Sequence, residues 1–296
     1  MKKTVFTGSG VALVTPFDAD GNVNFGKLKE LVEFHVKNKT DALIVCGTTG
    51  ENPTLSDEEH IEVIKKCVEF VSGRIPVIAG TGSNDTSHAV MMSEQAQIFG
   101  ADALLVVTPY YNKTSQQGLK KHFEFINDRV NLPMIIYNVP SRTGVNIEPE
   151  TYAYLACLEN VAGTKEANSD ISSVIKTISL CPEDFDIYSG NDDQISAIIN
   201  LGGKGVISVL ANILPKEVHT MAKYGISGKY KKCVEMQKKY LPLCEAMFYD
   251  VNPMPVKEAM NLMGFDVGEC RLPLCRMNDE KSARLKSVLE EYNLIS

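Results

Sequence analysis

The hydrophobic pattern of the first 210 residues alternates between two periods. Eight short, nearly continuous apolar runs are typical of strands buried on both faces, at 11–17, 42–47, 75–82, 103–110, 134–140, 161–167, 185–192 and 205–209. Amphipathic segments between them predict helices, at 25–38, 57–72, 85–99, 115–130, 150–158, 170–180 and 194–201. Strands and helices that alternate without hairpin signals predict an α/β protein with a parallel sheet. The count of eight strands favours a closed (β/α)8 TIM barrel over an open doubly wound sheet.

After residue 210 the pattern becomes purely helical, with segments at 215–224, 229–248, 255–262 and 280–291. A length of 296 residues accommodates one barrel of about 250 residues and an extension. We therefore predict that residues 1–210 form the barrel that carries the active site. Residues 211–296 should form the last barrel helix and a C-terminal helical extension. Ser56 followed by Glu59 predicts a capping box at the start of the second helix.

Composition narrows the class of protein. The chain is 44% hydrophobic and 23% charged, which is typical of a globular protein with a large core. A net charge of −7, spread along the sequence, gives no basic footprint for nucleic acid or an anionic membrane. Glycines and a proline interrupt the apolar run that a signal peptide would need, and no window is long and apolar enough to span a bilayer. Eight cysteines without CxxC pairs indicate reduced core thiols and a cytoplasmic location.

The sixth apolar run contains a lysine, Lys165, close to its C-terminal end. A lysine in a solvated loop just past the strand would have no special role. A lysine inside the barrel would lose hydration, and burial favours the free amine, which is a nucleophile able to form a Schiff base with a ketone. The sequence around Lys165 leaves both alternatives open.

Other strand ends supply groups that such chemistry needs, since the active site of a TIM barrel lies at the C-terminal ends of its strands. Thr48 and Thr49 lie between glycines after the second strand, where amides and hydroxyls suit a carboxylate, although GTTG also fits a simple tight turn. Tyr137 and Arg142 follow the fifth strand. Alone, they fit a core aromatic and a surface charge. Because neighbouring strand ends converge, we expect these residues near Lys165 to form a proton shuttle and two anion sites.

Six motifs occur in order at these strand ends: GTTGE, TPYYNK, YNVPSRTG, GTKEA, GND and GVISV. With the Pro-Val-Lys segment at 255–257, they resemble the dihydrodipicolinate synthase family over essentially the whole chain. The lysine alone marks only the wider superfamily of pyruvate-dependent Schiff-base lyases and aldolases, which includes N-acetylneuraminate lyase. The arginine of YNVPSRTG and the paired tyrosines of PYYN narrow the resemblance to the synthase family.

The resemblance implies a lyase that condenses pyruvate with L-aspartate 4-semialdehyde in diaminopimelate and lysine biosynthesis, giving 4-hydroxy-tetrahydrodipicolinate. It implies that Lys165 forms the imine, that no metal or organic cofactor takes part, and that the chain is a homotetramer built as a dimer of dimers. The other implied site residues hold the pyruvate carboxylate (Thr48, Thr49), relay protons (Thr48, Tyr137 and, from a neighbouring subunit, Tyr111), bind the semialdehyde carboxylate (Arg142) and line the pocket (Gly190, Ile207).

Feedback-inhibited members of the family bind free lysine at a subunit interface. The corresponding positions here are Asn52, Pro53, Asp57, His60, Asn84, His88 and Tyr110. His60, Asn84 and Tyr110 match the inhibited members, whereas those members carry serine, alanine, histidine and glutamate at the other four positions. The glutamate pairs with the amino cation of lysine, and His88 cannot supply that charge. We therefore expect a lysine site that does not function, unless Asp57 replaces the missing carboxylate.

Two other functions fit parts of the pattern. A relative that uses pyruvate with a sugar-derived aldehyde would share Lys165 and Tyr137 without needing Arg142. A catalytically inactive barrel with a binding or regulatory role is a second alternative, but every nucleophile and relay position is filled.

Overall fold

The computed structural model describes residues 2–296 and confirms the predicted fold class. Eight parallel strands, β1 to β8, form a closed barrel in chain order, and β8 pairs with β1. Their bounds are Gly8–Ala12, Ala42–Val45, Val77–Gly80, Ala103–Val107, Met134–Asn138, Val161–Glu166, Asp186–Ser189 and Gly205–Ser208. The wall of the barrel separates two buried clusters. One fills the barrel and includes Tyr137, Tyr188 and Ile207, and the other packs between the strands and the surrounding helices.

Twelve α-helices, α1 to α12, surround and extend this barrel in residues 2–296. Their bounds are Phe25–Lys37, Asp57–Val71, Thr86–Ile98, Gln116–Asn127, Pro140–Thr143, Pro149–Leu155, Ile171–Leu180, Ile195–Asn200, Pro215–Ile226, Tyr230–Ala246, Met254–Leu262 and Asp279–Glu291. The predicted capping box at Ser56 and Glu59 is present. Helix α9 packs on β1, β8 and α8 and so covers the seam where the barrel closes. The division of the chain at residue 210 stays a prediction.

The first strand lies N-terminal to its predicted position, 11–17. Leu13, Val14 and Phe17 are buried, but the chain leaves the sheet after Ala12. These buried residues beyond the sheet continue the apolar run, and the sequence pattern therefore resembled a longer strand. The glycines that interrupt the apolar run belong to β1. A Cβ on Gly10 would lie 2.6 Å from the Ile44 side chain and 2.9 Å from the Phe6 ring, so the crowded interior favours glycine there.

Two helical predictions also need correction. The segment 194–201 begins with a 3-10 turn, Asp192–Gln194, and α8 follows it. The short helix α5 was not predicted, because the motif YNVPSRTG reads as a loop; Pro140 occupies its first position, where proline fits a helix start.

The eight cysteines form no disulfide within residues 2–296. Cys46, Cys67, Cys233 and Cys244 are buried as predicted, whereas the other four are partly or fully exposed. In that part of the chain no helix is long and apolar enough to cross a membrane.

Candidate active site

Lys165 lies inside strand β6, and its side chain points into the barrel. It is 5% exposed, which excludes the solvated loop. The strand register places it between Tyr137 of β5 and Tyr188 of β7. The Lys165 Nζ lies 4.2 Å from the centroid of the Tyr137 ring, a distance at which a cation and an aromatic face attract each other. Two of the predicted residues, the nucleophile and the phenol, are therefore in direct contact.

A cavity of 210 Å³ at the C-terminal end of the barrel brings three of the candidates together. Thr48, Tyr137 and Arg142 line it. Thr48 follows β2, Tyr137 lies in β5, and Arg142 lies in the third position of α5. The fold thus places a hydroxyl, a phenol and a guanidinium around one space. Hydrogen bonding between Thr48 and Tyr137 stays a prediction.

The loop after β2 is strained and held from two sides. Cys46 and Glu51, at the two ends of this loop, have φ values of 53° and 56°, a left-handed conformation that side chains rarely adopt. Glu51 accepts a hydrogen bond from the Lys257 ammonium at 2.8 Å and another from the Arg271 backbone N–H at 2.9 Å. The Lys257 and Glu51 side chains are 2% and 1% exposed, so this ion pair is fully buried. Burial lowers the pKa of Lys257, and the Glu51 carboxylate opposes that shift.

Asn252 connects the same loop to Arg142. It lies between α10 and α11 in the C-terminal extension and is 5% exposed. Its side-chain Nδ2 donates to the Thr49 Oγ1 at 3.1 Å, and its backbone carbonyl accepts from the Arg142 Nη2 at 3.2 Å. Arg142 itself is exposed toward solvent.

Gly190 and Ile207, from the ends of β7 and β8, do not line this cavity. Ile207 is fully buried inside the barrel. Gly190 donates its N–H to the Glu166 carbonyl at 2.7 Å, and a Cβ there would lie 2.8 Å from that of Ala167, so glycine permits the close approach. Asp192, from the motif GND, accepts from the backbone N–H groups of Val209 and Leu210 at 3.0 and 2.8 Å. Burial raises the pKa of Asp192, and attraction to Lys165 opposes that shift.

Glu166 follows Lys165 in the strand but points outward, behind the barrel wall. Its carboxylate accepts from the Asn138 Nδ2 at 2.9 Å, the Tyr152 hydroxyl at 2.8 Å and the Asn168 N–H at 2.7 Å. Burial raises the pKa of Glu166 to about 7, although these hydrogen bonds favour the charged form. This network fixes the end of the strand that carries the nucleophile.

Tyr111 lies apart from the other candidates. It is 92% exposed and has a φ of 70°, which a bulky residue rarely adopts. Tyr111 therefore does not enter the pocket of its own chain, and its part in the predicted proton relay stays a prediction.

Three of the seven positions of the lysine site lie at the same cavity. Asn52, Pro53 and Tyr110 line it. His88 Nε2 lies 2.9 Å from the Asp57 Oδ1, so the carboxylate that could replace the missing glutamate already has a partner. His60 is buried with its Nε2 2.8 Å from the Gly80 carbonyl, and burial lowers its pKa to about 4. The Asn84 carbonyl accepts from the Asn112 side chain.

Sequence reasoning did not assign roles to Asn252, Glu51 or Lys257. Asn252 lies 203 positions from Thr49 along the chain, and Lys257 lies 206 positions from Glu51. No local pattern reports such contacts. The one local signal was the carboxylate of Glu51, which directly follows a glycine in the loop after β2. Within residues 2–296 no cluster of His, Cys, Asp or Glu is suited to hold a metal ion.

Comparison with known proteins agrees with this geometry. A profile of the Dihydrodipicolinate synthetase family matches residues 5–292. The 4-hydroxy-tetrahydrodipicolinate synthase of Caldicellulosiruptor bescii is 56% identical over 291 residues, 98% of each chain. The crystal structure of dihydrodipicolinate synthase from Aquifex aeolicus is 44% identical, with a TM-score of 0.96 over 98% of this chain and 99% of that one.

A third similar protein was crystallised with a ligand. The dihydrodipicolinate synthase from Acinetobacter baumannii, complexed with pyruvate, is 39% identical, with a TM-score of 0.96 over 99% of this chain and 100% of that one. These matches run over nearly the whole sequence and cover both the barrel and its C-terminal extension. The chain belongs to the dihydrodipicolinate synthetase family.

Proposed function

We propose that this chain condenses pyruvate with L-aspartate 4-semialdehyde to 4-hydroxy-tetrahydrodipicolinate, the reaction that commits metabolites to diaminopimelate and lysine. The observation that carries the proposal is Lys165, buried inside β6 with its Nζ 4.2 Å from the Tyr137 ring centroid. An amine that is shielded from water beside a phenol has both the nucleophile and the proton donor that imine formation requires.

The steps balance with side chains alone. The Lys165 amine attacks the ketone carbon of pyruvate, and water leaves as the imine forms. Loss of a proton from the methyl carbon gives an enamine, which attacks the aldehyde carbon of the semialdehyde. The amino group of the semialdehyde then displaces Lys165 and closes the ring. The net reaction releases one water, and we propose that it needs neither a metal nor an organic cofactor.

We propose the following roles for the remaining residues. Thr48 and Thr49 hold the pyruvate carboxylate, and Gly190 and Ile207 shape the wall around the methyl group. Tyr137 moves protons to and from the carbinolamine oxygen. Arg142, at the open side of the cavity, binds the semialdehyde carboxylate with its planar fork.

We further propose a homotetramer made of two dimers. Tyr111 supports the dimer within this assembly, because a tyrosine that is 92% exposed in a left-handed conformation is suited to enter a neighbouring subunit, where it would complete the relay through Thr48 and Tyr137. The pairing of two dimers follows the family resemblance. We also propose a cytoplasmic location, because the eight cysteines form no disulfide within residues 2–296.

An assay of pyruvate consumption with a panel of aldehydes tests this function. We expect turnover with aspartate semialdehyde and none with sugar-derived aldehydes, which lack the carboxylate placed for Arg142. Equal turnover with a sugar-derived aldehyde would favour the aldolase alternative. No consumption with any aldehyde would favour an inactive barrel.

A further inference from the structure

We propose that Asn252 is a positioning residue of the active site. Its side-chain amide orients the Thr49 hydroxyl as a hydrogen-bond donor toward the pyruvate carboxylate, and its backbone carbonyl holds the Arg142 guanidinium. This inference rests on the proposed function and deepens it, because it names the group in the C-terminal extension that sets both carboxylate sites.

The first step concerns the direction of one hydrogen bond. The Asn252 Nδ2 donates to the Thr49 Oγ1 at 3.1 Å. A hydroxyl has one proton to donate, and when its oxygen accepts from an amide the proton is free for another acceptor. Thr49 is 2% exposed, so water has little access to that proton. A substrate carboxylate in the adjoining cavity is the acceptor it then suits.

The second step concerns the backbone of the same residue. The Arg142 Nη2 donates to the Asn252 carbonyl at 3.2 Å. This bond uses one edge of an exposed guanidinium and restricts its rotamers, so the other N–H groups stay directed at the cavity mouth. Pyruvate and semialdehyde carboxylates thus meet groups that a single residue aligns.

The third step explains why Asn252 has a fixed position. Helix α11 begins at Met254, directly after the Asn252-Pro253 pair, and carries Lys257, whose ammonium pairs with Glu51 at 2.8 Å in a fully buried site. Thr49 and Glu51 belong to one loop, so the extension contacts that loop at two points. The Asn252 Oδ1 has no hydrogen-bond partner in residues 2–296. The hydrogen bond to Thr49 is thus made by the donor end of the Asn252 amide.

Two substitutions separate orientation from packing. Asn252→Asp keeps the size of the side chain but replaces the donor with an acceptor, which takes the Thr49 proton. Asn252→Ala removes the donor but leaves the Thr49 hydroxyl free to rotate. We expect KM for pyruvate to rise about tenfold in Asn252→Asp and about threefold in Asn252→Ala, the range of one typical intramolecular hydrogen bond. A packing role predicts the reverse order, since alanine leaves a cavity.

Three readouts make the result specific. The pyruvate concentration that gives half-maximal borohydride trapping should rise by the same factor as KM, and it needs no semialdehyde. KM for semialdehyde should stay within about threefold of wild type, because both variants retain the backbone carbonyl. In a Thr49→Val background neither Asn252 variant should raise KM for pyruvate further, since the hydroxyl they act on is gone.

Asn261→Asp is the matched control. Asn261 lies in α11 and bonds to the Gly268 carbonyl and the Val267 N–H, outside the site. Its kinetics should match wild type. If Asn252→Asp does not fold, Asn252→Ala with and without Thr49→Val carries the test alone. Three outcomes would each overturn the inference. They are a KM for pyruvate within twofold of wild type in both Asn252 variants, a larger rise of that KM in Asn252→Ala than in Asn252→Asp, and an undiminished rise in the Thr49→Val background. A wild-type protein that traps no pyruvate would instead contradict the proposed function.

Discussion

The buried ion pair between Lys257 and Glu51 gives the largest stability effect that we predict for a single substitution. Lys257→Met keeps most of the side-chain volume but removes the ammonium that lies 2.8 Å from the Glu51 carboxylate. Glu51 then retains the Arg271 N–H at 2.9 Å as its hydrogen-bond donor, in a side chain that is 1% exposed. An uncompensated buried charge of this kind costs about 3–5 kcal/mol of the free energy of unfolding.

Urea unfolding at a fixed protein concentration measures this loss, because the proposed oligomer would make stability depend on protein concentration. The control is Lys27→Met. Lys27 lies 2.6 Å from the Glu30 carboxylate, closer than Lys257 to Glu51, but the two side chains are 20% and 68% exposed. We expect this control to change stability by less than about 0.5 kcal/mol. Glu51→Gln combined with Lys257→Met should recover part of the loss, since no buried charge then stays unpaired. A loss below about 1 kcal/mol in Lys257→Met would refute the reasoning.

Three further predictions concern ligands and pH. Arg142→Ala should raise KM for semialdehyde by about one to two orders of magnitude while imine formation with pyruvate stays nearly intact, because it removes a charge-assisted contact of roughly 1.5–3 kcal/mol. An equal rise of KM for both substrates in steady-state kinetics would mean that Arg142 has a structural role. Free lysine at about 1 mM should barely inhibit the enzyme, because His88 replaces the glutamate of inhibited relatives and Asp57 is paired with His88 at 2.9 Å; calorimetric binding of about −4 kcal/mol or tighter would contradict this. Burial raises the pKa of Glu166 from 4.5 to about 7. Between those pH values Glu166 binds a proton in the folded chain but not in the unfolded chain. Its contribution to stability should therefore fall by roughly 3 kcal/mol as the pH rises through that window. Urea unfolding at pH 5 and pH 8 should show this loss in wild type and a flatter profile in Glu166→Gln; identical profiles would show that Glu166 does not titrate there.

The fold could be predicted because buried parallel strands and amphipathic helices have different hydrophobic periods. Lys165, Tyr137 and Arg142 could be located because a barrel gathers its strand ends on one face, so the order of the strands is enough to bring them together. The first strand was misplaced for a related reason. The residues after Ala12 are as buried as a strand, and a hydrophobic run reports burial without reporting sheet pairing.

The contacts from the C-terminal extension could not be predicted in the same way. Asn252 and Lys257 reach the loop after β2 across more than 200 positions of sequence, as the separations of 203 and 206 residues show. Lys257 lies in α11, which carries the same amphipathic pattern as any surface helix, and Asn252 lies in the connection before it. Neither context specifies which loop a polar side chain will meet. The pairing of Asp57 with His88 likewise depends on how α2 and α3 pack.

Borohydride reduction in the presence of pyruvate, followed by peptide mass mapping, tests the central claim most directly. The imine on Lys165 should be reduced to a stable secondary amine, with irreversible loss of activity and one lactyl-type mass on the peptide that contains Lys165. Lys257 is a built-in comparison, since it is also buried but its ammonium is engaged by Glu51. We expect no modification there. Trapping on Lys257 or another lysine, or no trapping at all, would contradict the proposed mechanism.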